Sequence, residues 1–207
     1  MQFEEGADMN DRIGIRRLVR TLLVAVLGLA ITVGVAGCAK NDEELIRAAI
    51  TESMEVLKNP TEENLSVYLE DSSVDMSQLE QYGVDPYEFL SHCFAKFDYK
   101  VNDVVIDGKD ATANITITNV DLGAAAETAA ADITANLGDY ADVLSSQDAE
   151  QGLMKVFMQK FYEQLDAATE TIDTPAELKF TKDGDEWVVD EESIVTLVEG
   201  MYGGVEI

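Results

Sequence analysis

The stretch that decides the fold is "FDYKVNDVVIDGKDATANITITNVD", residues 97–121. Its first half alternates Phe97, Tyr99 and Val101 with Asp98, Lys100 and Asn102. A period of two is the mark of a half-buried strand. The second half repeats the pattern, with Ala111, Ala113, Ile115 and Ile117 set between Thr112, Asn114, Thr116 and Thr118. Between them, "DGKD" at 107–110 reads as a tight turn. A two-residue loop at Gly108–Lys109 pairs Ile106 with Ala111 and Val104 with Ala113. The apolar phase slips between Val101 and Val104, which predicts a β-bulge near Asn102–Asp103.

A second hairpin is expected from "LKFTKDGDEWVVD", residues 178–190. With Asp183–Gly184 as its loop, Phe180 faces Trp187 and Leu178 faces Val189. Upstream, "NDEELIRAAITESMEVLKNP" is helical, with Leu45, Ile46, Ala49, Ile50 and Leu57 on one face and Asn41 and Glu44 spaced as a capping box. Asn59–Pro60 stops that helix, and Thr61 caps a shorter one. A third begins at Asp85-Pro86, with Asp85 as N-cap and Pro86 at the first helical position. Between the hairpins lie an Ala-rich helical stretch and a stronger helix carrying Leu153, Phe157, Phe161 and Leu165 at i, i+4 spacing, with Met154, Met158 and Tyr162 widening the face. A last helix is predicted over 191–201. Helices first and an antiparallel sheet later define an α+β domain. The helices should cover a sheet face made of Tyr99, Ile115, Ile117, Phe180 and Trp187.

The chain has 207 residues, with 41 Asp+Glu against 14 Lys+Arg, a net charge of −27. Such a surface repels phosphate backbones, which argues against nucleic-acid binding. The first 37 residues balance four Arg against four acids, so the imbalance belongs to the remainder. That first segment has its own pattern. Arg12, Arg16, Arg17 and Arg20 precede a charge-free run, residues 21–37, that leads into Cys38. A basic region, an apolar region and small residues describe a secretory signal. Acidic Glu4, Glu5 and Asp8 precede the basic cluster, which is unusual for a signal and leaves Met1 and Met9 as two candidate starts.

Val35, Ala36, Gly37 and Cys38 resemble the bacterial lipobox. The resemblance implies cleavage before Cys38, lipid on its sulfur, and a membrane-anchored, extracytoplasmic protein. Residues 1–37 are then a removed signal, 38–40 a short tether, and 41–207 one domain. The order of elements is similar to the cystatin-like roll of the nuclear transport factor two-like superfamily, as found in uncharacterised domains of bacterial lipoproteins. It rests on the lipobox leading almost directly into a helix, on the 97–121 hairpin, and on the Lys-x-Asp-Gly-x-x-Trp hairpin. The helical stretch 124–170 stands as an insertion between the two hairpins. The resemblance also implies a cone-shaped pocket, for which Tyr99, Ile117, Phe180 and Trp187 are the candidate lining.

No catalytic set is legible. His92 is the sole histidine and no orienting carboxylate can be read beside it. Asp98, Asp103 and Asp121 lie nearest the sheet but fall at strand starts and turns. Cys93 sits in an apolar periodicity and reads as a small core residue. No metal-ligand set or cofactor motif occurs. The expected function is therefore a non-catalytic, lipid-anchored domain that binds a peptide, an envelope protein or a small apolar ligand. A second expectation is an assembly protein docking through the 153–165 helix, and a third a small enzyme using the cone. A homodimer is left open.

Overall fold

The computed structural model describes residues 32–33, 42–71 and 82–203. Its elements run β1 (Thr32–Val33), α1 (Asp42–Lys58), α2 (Glu62–Asp71), α3 (Pro86–Cys93), β2 (Asp98–Asp107) and β3 (Asp110–Asn119). They continue with α4 (Leu122–Ala135), a 3-10 turn (Leu137–Tyr140), α5 (Ala141–Leu144), α6 (Ala149–Ala167), β4 (Ile172–Asp183), β5 (Glu186–Val189) and α7 (Glu191–Met201). The sheet is antiparallel, in the order β1-β5-β4-β3-β2. This is the α+β arrangement expected from the sequence.

The first hairpin has the predicted register: Ile106 pairs with Ala111 and Val104 with Ala113. The pairing jumps from Val101↔Ile115 to Asp103↔Asn114, which leaves Asn102 as the bulged residue. The bulge returns Val104 and Ile106 to the face already occupied by Tyr99 and Val101.

The second hairpin corrects the sequence reading. Phe180 pairs with Val189, not Trp187, and Trp187 lies opposite Lys182. The loop is Gly184–Asp185, because Asp183 pairs with Glu186. Gly184 (φ +65°) takes the first loop position, as Gly108 (φ +66°) does in the other hairpin. A primed two-residue turn requires positive φ there, and glycine supplies it without steric cost. The shift is two residues, so every side chain keeps its face and Trp187 still points inward.

One face of the sheet is covered and the other is solvated. On β3, the residues from Ala111 to Asn119 at odd numbers are buried, while Thr112, Asn114, Thr116 and Thr118 are only partly so. Helix α1 lies along β2, and α7 lies across β3 and β4. Helix α6 packs on α4 and α3, farther from the sheet. The core gathers Ile46, Ile50, Met54 and Leu57 of α1 with Ile115, Ile117, Leu178, Phe180 and Trp187 of the sheet. Phe157, Met154, Met158, Phe161 and Leu165 of α6 are also buried. The Met-rich face of that helix is thus spent on internal packing.

Local caps follow the sequence. Asp85 accepts from the Tyr87 and Glu88 amides, and Thr61 Oγ1 accepts from Asn64 N–H at 3.3 Å. The reading of Asn41 as a cap falls outside the described residues. Asn119 is the one fully buried polar side chain at the end of β3. Its Nδ2 donates to the carbonyls of Cys93 (3.1 Å) and Met201 (2.7 Å), tying the ends of α3 and α7 to the sheet.

Candidate functional site

Three places among the described residues bring together polar groups that a site could use. The first is the seam between α3 and α6. His92 Nδ1 lies 2.9 Å from Asp166 Oδ1. Its ring stacks on Tyr162 with centroids 4.2 Å apart and planes 8° from parallel. Lys96 Nζ donates to the carbonyls of Leu165 (2.7 Å), Asp166 (3.3 Å) and Ala168. The ammonium therefore satisfies carbonyls that the end of α6 leaves open, at the negative end of the helix dipole. Asp166 is the orienting carboxylate that the sequence did not reveal, since 74 residues separate it from His92.

An oriented imidazole needs a nucleophile or a substrate proton within hydrogen-bond reach to act as a general base. The neighbouring thiol of Cys93 is buried, and that burial pushes its pKa far above the ordinary value. Burial likewise raises Tyr162, whose hydroxyl is enclosed without a hydrogen-bond partner. The contacts of His92, Asp166 and Lys96 join α3 to α6. Their visible work is structural.

The second place is the start of α1. Lys182 Nζ donates to both oxygens of Asp42, at 2.9 and 2.8 Å. This holds the Asp42 carboxyl below the usual carboxylate range, with the nearby Trp187 indole acting in the same direction. Lys182 also lies 5.2 Å from the centroid of the Trp187 ring. The indole N–H itself closes no hydrogen bond in this geometry. At the other end of α1, Lys58 Nζ meets Asp98 Oδ1 at 2.7 Å and lowers the Asp98 carboxyl. Tyr99 OH donates to Glu55 Oε1 at 2.8 Å, and burial together with Glu55 pushes its pKa up to about 12.

The third is a groove of about 480 Å³ between the start of α4 and the connection from α6 to β4. Val120, Ala124, Ala125 and Ile172 give it apolar walls, with Asp121, Thr128, Gln164 and Glu170 among its polar groups. Asp121 Oδ1 also accepts from Ala124 N–H at 2.8 Å as the N-cap of α4. A smaller depression of about 350 Å³ lies against β4 and β5, near Thr181, Lys179 and Val188.

The predicted residues fall as follows. Tyr99 lies directly opposite Ile117, half-buried against α1. Ile117, Phe180 and Trp187 are core residues at 0–1% exposure. Phe180 borders the smaller depression, and none of the four lines the larger groove. The carboxylates weighed as catalysts have structural partners: Asp98 has Lys58, Asp103 accepts from Asn114, and Asp121 caps α4. Among the described residues no group of three or more His, Cys, Asp or Glu is placed to hold a metal ion. Cys38 and the lipobox residues Val35, Ala36 and Gly37 lie outside the described residues. Among the residues described, no helix is long and apolar enough to cross a membrane.

Fold and groove together define an α+β domain with a one-sided antiparallel sheet and a mixed, mostly small-residue groove at one end. Comparison with protein families, with curated proteins and with solved structures finds no match to this chain.

Proposed function

We propose that this chain is the precursor of a bacterial lipoprotein whose mature domain is a non-catalytic, extracytoplasmic binding module. The observation that carries the reading is the run from Arg12 to Cys38: a basic cluster, a charge-free apolar stretch, then Val35-Ala36-Gly37-Cys38. The beginning of α1 at Asp42, four residues past that cysteine, supports a domain seated directly on its anchor. In this reading the one-sided sheet belongs to a cystatin-like roll, with α4–α6 as the inserted helices. Cleavage would carry Thr32–Val33 away from β5. The edge left behind is four residues long and flanked by Asp185, Glu186 and Asp190, features that discourage pairing between copies.

The ligand class follows from the larger groove. Its Ala, Val and Ile walls suit an apolar group, and its carboxylates suit a basic or amide-bearing one. A peptide segment offers both. Mass spectrometry of the protein expressed in bacteria tests the anchor. The expected product begins at a Cys38 carrying acyl chains, and Cys38→Ala accumulates as an uncleaved precursor without lipid. An intact N-terminus on the wild type would refute the reading.

A further inference from the structure

We infer that the sheet end bearing the two hairpin turns faces the bilayer, and that the groove beside α4 is presented outward at the opposite end. The inference rests on lipidation at Cys38 and adds an orientation to it. Three residues separate Cys38 from Asp42, so the four Cα–Cα steps between them reach at most about 14 Å. Asp42 is no loose end: Lys182, one residue before the turn-closing Asp183, holds both of its carboxylate oxygens. The lipid is therefore tethered close to the β4–β5 turn. The other turn, at Gly108–Lys109, shares that end, because Lys182 N–H donates to the Lys109 carbonyl at 2.7 Å.

Helix α1 fixes the direction of the whole domain from that point. Its first residue is held at the turn end by Lys182, and its last, Lys58, is held at the far end by Asp98, the first residue of β2. The groove is lined by Val120 and Asp121, just past the end of β3, and by Ile172 at the start of β4. Ten residues of β3 separate the turn from the groove, which is roughly 30 Å along the strand. A short tether and a helix held at both ends leave little freedom to invert. The turn end carries Asp107, Asp110, Asp183, Asp185 and Glu186, so it should stand off an anionic surface rather than insert into it.

The test uses the lipidated protein, purified from bacteria and reconstituted in phosphatidylcholine vesicles containing nitroxide-labelled lipid. A fluorophore is attached to Asp185→Cys at the turn end or to Thr169→Cys beside the groove. Buried Cys93 and acylated Cys38 leave the introduced thiol as the reactive one. Quenching at position 185 should exceed that at 169 several-fold. Inserting a flexible linker of about twelve residues after Ala39 should erase the difference. Equal quenching, or stronger quenching at 169, in protein whose Cys38 is shown by mass to be acylated would overturn the orientation alone. A difference that survives the linker would overturn the tether argument. An unacylated Cys38 would remove the anchor reading and the orientation with it.

Discussion

Replacing Trp187 is the sharpest test of the packing. The side chain has 0% exposure on the four-residue strand β5, with Lys182 over its ring. Truncation to alanine removes a buried aromatic and leaves a cavity, which costs about 3–5 kcal/mol. For a domain of this size that is a fall in Tm of roughly 6–20 °C. Phenylalanine should behave differently. Its smaller ring loses some packing, but the buried Nε1–H closes no hydrogen bond, and an unsatisfied buried donor costs about 1–3 kcal/mol. Trp187→Phe removes that donor, so its net loss should stay below about 1.5 kcal/mol. Trp187 is the only tryptophan, so fluorescence cannot follow the variants. Urea unfolding read by far-UV circular dichroism can. A loss below about 1 kcal/mol for alanine would show that the indole is not core, and the register of the second hairpin would fall with it. A phenylalanine variant as damaged as alanine would show that the N–H has a partner after all.

Three further outcomes follow from particular contacts. Gly203 has φ +76°, and a Cβ there would lie 2.7 Å from both the Val120 carbonyl oxygen and Asp121 Cα, so Gly203→Ala should cost about 2 kcal/mol or more in urea melts. Cys93 should be inert to a thiol reagent in the folded protein and react fully in denaturant; rapid reaction in the native state would contradict its burial. Asp42 and Asp98 both have carboxyls lowered from 3.8, so the folded state binds their protons less tightly than the unfolded chain does. Their stabilisation is present above pH 3.8 and fades as pH falls through the depressed values. Thermal melts across that window should show a shallower acid slope in Asp42→Asn than in the wild type.

The first hairpin was legible in the sequence because its residues alternate with a period of two, whereas β1, inside an apolar run, and the first half of β4, residues 172–177, were not. Even the bulge could be read, since the apolar phase must slip by one between Val101 and Val104 for both halves of β2 to face inward. The second hairpin was legible in face but not in register. Asp-Gly signals a turn without stating which loop position the glycine fills, and only the pairing of Asp183 with Glu186 settles that. The pairs that organise the helices left no local trace. His92 and Asp166, Lys96 and the end of α6, and Lys182 and Asp42 are separated by 69 to 140 residues. Asn119 continues the inward phase of Ala111, Ala113, Ile115 and Ile117, but its type gave no sign that it would donate to the carbonyls of Cys93 and Met201. The groove was illegible because its walls are small residues drawn from three elements, with no periodicity in common.

The acidity acquires a definite role once the contacts are set beside the counts. With 14 Lys+Arg for 41 Asp+Glu, most carboxylates have no cation to pair with. Two of those that do make pairs at the two ends of α1: Asp42 with Lys182, and Asp98 with Lys58. Exposed pairs of this kind contribute little to stability one at a time. Their value is directional: they set the helix along the sheet, from the hairpin turns to the start of β2. The remaining charge acts at longer range, through self-repulsion and through repulsion from anionic surfaces. On the proposed lipid anchor at Cys38, only residues 39–41 would lie between the lipid and α1, and a helix held at both of its ends would then turn the groove away from the surface.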